Sequence, residues 1–178
     1  MSIKEVVLLL LLACHAFARD PWAIPVSQWT EEDAKQILSA SPWAKTVGSP
    51  SIYARWESAR PIRLALQRLG LLRPDEDCQQ CYAVAVIGLP RTLGAQESVA
   101  TLKAAGRMAI PAYEVKTHDN SIVFFFRRVP ELCEPIVFRF PGGLKLGNTV
   151  HFQAQIGSRM VKQKFSLRMM TFEGALEL

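Results

Sequence analysis

Cys78 and Cys81 form a C-x-x-C, the spacing in this sequence that most directly suggests chemistry. Such a pair serves disulfide exchange, zinc binding or covalent haem attachment. Haem attachment requires a His directly after the second cysteine, and Tyr82 stands there. Disulfide exchange wants the first thiol at a helix N-terminus, where the dipole lowers its pKa. Here the pair follows Asp75, Glu76 and Asp77, whose charge opposes thiolate formation, and leads into an apolar run of strand character. Zinc takes about four ligands. Cys78, Cys81 and Cys133 with His118 or His151 could supply them only if distant segments converged, and there is no second paired spacing. The expected role is structural, including a disulfide between Cys133 and one of the pair, with thiol redox or metal binding at Cys78 and Cys81 as the alternative. No metal and no cofactor is expected.

Other constellations are weaker. His118 precedes a turn and His151 falls on the polar side of an alternating strand, so neither sits beside a nucleophile, and no G-x-S-x-G pattern occurs. Gly142-Gly143 lacks the following Lys and helix of a phosphate loop. The chain is therefore expected not to be an enzyme, and no catalytic residue is assigned. Trp22, Trp29 and Trp43 are the candidate binding surface, set against a packing role in which they and Trp56 pin the N-terminal arm and first helix to a sheet. Arg55 and Glu57 flank Trp56 at a spacing that allows an ion pair, which on a surface strand contributes about 1 kcal/mol or less.

What positions these residues begins with a leader. Lys4, an apolar stretch from Val6 to about Ala13 and a small-residue exit read as a secretory signal over residues 1–18. Ala16-Phe17-Ala18 suits cleavage before Arg19, and Leu-Ala-Cys suits lipoprotein cleavage before Cys14, which would then be acylated. The apolar run is shorter than the roughly 20 residues a membrane span takes, and none recurs downstream. A periplasmic or extracellular location, or a lipid tether to the envelope, is expected. The formal charge of +5 is spread over Arg55, Arg60, Arg63, Arg68, Arg127, Arg128, Arg139, Lys162 and Lys164, which argues against a nucleic-acid track. An envelope protein or peptide, or an anionic envelope polymer or lipid surface, is the kind of partner left open.

Residues 19–178 read as one domain. An extended arm over 19–29 precedes a helix capped by Thr30, with Ala34, Ile37 and Leu38 as its apolar stripe and Pro42 after it. Residues 51–58 alternate as a strand, and Ser58 is placed to cap a second helix that turns Ile62, Ala65, Leu66 and Leu69 inward. "CYAVAVIG" and Ile122–Phe126 are apolar on both faces, as covered strands are. Residues 95–105 suggest a third helix, with Val99 and Leu102 inward. Asp119-Asn120 joins one hairpin and Gly157-Ser158 another, while 136–140 gives a short strand. The Gly157-Ser158 turn pairs Ala154 with Val161 and Val150 with Phe165 on an apolar face, and Gln153 with Lys162 and His151 with Lys164 on a wet one. "LRMM" suggests a helical turn and "TFEGALEL" a final edge segment. The fold class expected is α+β, an antiparallel or mixed sheet of about six to eight strands with about three helices packed on it.

The stretches "QWTEEDAKQILSASPWAK" (28–45), "ARWESARPIR" (54–63), "YAVAVIGLP" and "KFSLRMMTFEGALEL" resemble a family of uncharacterised exported bacterial proteins, over most of residues 19–178. The resemblance implies export and carries no activity, ligand or catalytic residue; the C-x-x-C is not part of the pattern. Together these readings point to an exported binding or envelope-associated domain.

Overall fold

The computed structural model describes residues 19–72, 81–90, 98–104, 107–118, 120–128 and 149–178. The leader with Cys14, the acidic run 75–77, Cys78, Cys133 and the strand expected at 136–140 lie outside the described residues.

Residues 19–29 are not extended. They form two 3-10 turns, Pro21–Ala23 and Val26–Gln28, each closed by a backbone hydrogen bond. Helix α1, Glu31–Ser39, starts with a reciprocal cap. Thr30 Oγ1 accepts from the Asp33 N–H at 3.1 Å, and Asp33 Oδ2 accepts from the Thr30 N–H at 2.7 Å. The Thr30 N–H, and after it the Thr30 hydroxyl donating to the same Oδ2 at 2.8 Å, hold the Asp33 carboxyl below its ordinary pKa. Helix α2, Arg60–Arg68, carries Pro61 in its first turn and buries Ile62, Ala65 and Leu66. Ser58 does not cap it: the N-cap is Ala59, and Ser58 Oγ instead accepts from the Ala83 N–H at 3.1 Å.

The strands are β1 (Ala44–Val47), β2 (Ser49–Trp56), β3 (Cys81–Ile87), β4 (Ser98–Ala104), β5 (Ile110–His118), β6 (Ser121–Arg127), β7 (Thr149–Ile156) and β8 (Arg159–Ser166). They form one antiparallel sheet in the order β1-β2-β3-β6-β5-β4-β7-β8. The sheet curls until its edges β1 and β8 approach one another. A separate hairpin, β9 (Thr171–Phe172) and β10 (Ala175–Leu176), takes the place of the expected edge segment. It turns through Glu173 and Gly174, both at positive φ.

Two further expectations are corrected. The segment expected to be a third helix is β4 over its described part: Ser98, Ala100, Leu102 and Ala104 point inward, while Val99 is 67% exposed. Val99 and Leu102 are three apart, a spacing that fits a helix, but pairing with β7 along the whole strand decides the conformation. The architecture is accordingly a near-barrel sheet with two α-helices among the described residues, not three helices laid on a sheet.

Curling lets the sheet supply its own core. Trp56 on β2 meets Tyr82 on β3 and Phe165 on β8, each with centroids 5.7 Å apart, and Phe152 on β7 meets Phe124 and Phe126 on β6. On the outer side of β3 and β6 a second apolar cluster holds Cys81, Ala83, Ala85, Val123 and Phe125. Both faces of these two strands are therefore buried, as their unbroken apolar runs imply.

Candidate functional site

Glu57 follows the last residue of β2, and its position is set by the backbone. The Glu57 N–H donates to Ala83 O at 2.8 Å, and the Ala83 N–H returns to Ser58 Oγ, so the β2–α2 connection is clasped to β3 from both sides. Arg55 stands on the outer face in a cross-strand row with Ala85 and Val123. Its Nη2 lies 2.7 Å from Glu57 Oε1, and its Nε donates to the same oxygen at 2.8 Å. The side chains are 14% and 5% exposed, so the ion pair expected on a surface is largely buried.

This pair lines a cavity of about 520 Å³ over the outer apolar cluster. Leu66 of α2, Leu71 and Leu72 beyond it, Ile87 of β3 and Val123 of β6 supply the apolar wall; Asn120 and Ser121 supply further polar atoms. Leu71 and Leu72 are 56% and 41% exposed at its rim. They reach it because Gly70, at φ +67° just past the end of α2, turns the chain back over the opening.

A second cavity, about 310 Å³, lies between α2, β3 and the chain following β10. Arg60, Arg63 and Arg128 line it with Cys81. Arg60 is ion-paired to Glu173 at 2.6 Å and lies over the Phe172 ring, while Arg128 lies over Tyr82. Cys81 is buried and disulfide-bonded, with its partner outside the described residues.

The residues singled out in the sequence do not converge. Cys81 pairs with Arg127 at one end of β6, and His118 pairs with Ser121 at the other, six residues along the strand and so about 20 Å away. His151 is exposed on β7. Among the described residues no three His, Cys, Asp or Glu side chains group as a metal site would need. The tryptophan set forms no surface either. Trp29 and Trp43 are buried in the core, and Trp22 is half-buried against Trp43 with centroids 6.3 Å apart. Sequence reasoning found Arg55 and Glu57 but missed Leu71, Leu72, Asn120 and Ser121, which carry no periodic signal and meet only in three dimensions.

No family model, curated protein or solved structure matches this chain. No helix among the described residues is long and apolar enough to cross a membrane.

Proposed function

We propose that this chain is an exported, non-enzymatic binding domain that receives a small amphiphilic ligand in the cavity beside Arg55 and Glu57. The observation that carries the reading is a cavity of about 520 Å³, within the size range of small-molecule sites, in which Leu66, Leu71, Leu72, Ile87 and Val123 form an apolar side facing one buried ion pair and the polar Asn120 and Ser121. The two charges neutralise each other, so the matching ligand has an apolar body and a polar group that is uncharged or zwitterionic. Such a group can accept from the guanidinium and donate to the carboxylate without stranding either charge. Leu71 and Leu72 lose water when the ligand enters, which adds a hydrophobic contribution. The polar atoms are arranged as a matched pair, not as a nucleophile facing a base.

Export is supported by the leader pattern in residues 1–18, by the family resemblance and by the disulfide at Cys81, since such bonds persist in oxidising compartments. The test is titration with N-phenyl-1-naphthylamine, an uncharged apolar fluorophore. The expected result is saturable enhancement at one site, abolished by Leu71→Asp with Leu72→Asp. Unchanged enhancement in that variant would sink the reading.

A further inference from the structure

Three strands place their outward side chains in register on one face. Lys103 of β4, His151 of β7 and Lys164 of β8 form one row; Thr101, Gln153 and Lys162 form the next; Val99, Gln155 and Met160 form the third. Lys103, His151, Gln153, Lys162 and Lys164 are all exposed. None of the three lysines takes part in an ion pair among the described residues. The outward charges on the adjoining strand β5, Glu114 and Lys116, pair with each other at 3.7 Å. In the sequence Lys162 and Lys164 look dispersed; strand pairing gathers them with Lys103.

Like charges gathered on one sheet face repel one another, the more weakly the farther apart they stand. Lys162 and Lys164 are successive outward residues of β8 and Lys103 lies two strands away across His151, so three positive charges share one face and favour a negatively charged partner. The third row identifies which one. Val99 and Met160, 67% and 46% exposed, put an apolar end on the same face as the lysines. Long ammonium side chains beside exposed aliphatic ones match the headgroup boundary of a bilayer, where lysines reach phosphates and apolar side chains enter the upper acyl layer. A soluble polyanion has no use for the apolar end.

We propose that the outward face of β4, β7 and β8 is a docking surface for an anionic lipid bilayer, with Lys103, Lys162 and Lys164 on headgroup phosphates and Val99 and Met160 in the interfacial layer. This surface is separate from the cavity and stands without it.

The experiment is co-sedimentation of the full chain with phosphatidylcholine vesicles, with and without phosphatidylglycerol, at low and high salt. Every comparison is made in the same full-chain background, so any contribution of the leader cancels. The expected result is salt-sensitive binding that needs phosphatidylglycerol and that Lys103→Gln, Lys162→Gln and Lys164→Gln together weaken roughly a hundredfold, from about one factor of five per lysine. Val99→Asn with Met160→Asn is expected to weaken vesicle binding while leaving binding to polyphosphate unchanged. All five positions face solvent, and an unchanged melting curve establishes that each variant folds. An equal loss on Arg19→Gln, Arg68→Gln and Arg127→Gln, a matched removal of exposed charges elsewhere, overturns the proposal. So does vesicle binding that ignores the Val99 and Met160 changes, which would reduce the face to a charge attraction that any polyanion satisfies.

Discussion

Arg55 Nη2 and Glu57 Oε1 are 2.7 Å apart beneath the rim leucines, with the carboxylate almost wholly withdrawn from water. Such a pair is worth little more than an apolar substitute of the same shape, but removing one member strands the other. Glu57→Gln and Arg55→Met are each expected to destabilise the chain by about 3 kcal/mol, the low end of the range because the cavity admits water. Replacing both charges together, Arg55→Met with Glu57→Leu, is expected to recover most of that loss while making the cavity indifferent to the polar group of its ligand. Urea denaturation of the two singles and the double measures the coupling; additive losses would show that the two side chains act independently.

Trp43 and Trp56 are both fully buried, yet their indole N–H groups differ. Trp43 Nε1 donates to Glu177 O at 2.7 Å, tying the turn between α1 and β1 to the segment after β10. Trp56 Nε1 meets no acceptor among the described residues. Replacing Trp43 by Phe removes a made hydrogen bond as well as volume, while Trp56→Phe removes volume and relieves an unpaired donor. Trp43→Phe is expected to be the more costly by about 1 kcal/mol, measured by thermal or urea melts. Equal losses would mean that the Glu177 contact contributes nothing net.

Gly88 has φ +85°, and a Cβ there would run into the Ser51 carbonyl of β2. Its N–H donates to Asn120 O at 2.8 Å, so it also positions one residue of the cavity. Gly88→Ala combines left-handed strain with a backbone clash and is expected to cost at least about 3 kcal/mol. Gly70→Ala, at φ +67° in open space, is expected to cost about 1 kcal/mol. Comparable melting temperatures for the two variants would contradict the close approach of β2 to Gly88.

Elements whose signal is local were legible in the sequence. The start of α1 is marked by Thr30, to which the structure adds Asp33 as the reciprocal partner, and the β7–β8 register follows from a period of two counted back from Gly157, so Val150–Phe165 and His151–Lys164 pair as expected. The β4 segment was not legible, because its alanines and the Val99–Leu102 spacing suit a helix and only pairing with β7 makes it a strand. The same tertiary choice hid the lysine face, since Lys103 joins it only as a strand residue. Tryptophan exposure was likewise undecidable from type alone: Trp29 and Trp43 became core once α1 and the 3-10 turns closed over them.

The α1 cap gives a prediction with a definite sign. Asp33 accepts hydrogen bonds from the Thr30 N–H and hydroxyl at the N-terminus of a helix, and its pKa is lowered as a result. A carboxyl whose folded pKa lies below its unfolded value stabilises the fold above the unfolded value and ceases to do so as pH falls through the folded one. The advantage of the parent chain over Asp33→Asn should therefore be constant near neutrality and shrink below about pH 4, where an unperturbed aspartate begins to protonate. Thr30→Ala removes the other half of the cap and is expected to cost about 1 kcal/mol at neutral pH. Urea melts of both variants across this range provide the check. A difference between parent and Asp33→Asn that stays unchanged to low pH would show that the carboxylate charge plays no part in holding the helix start.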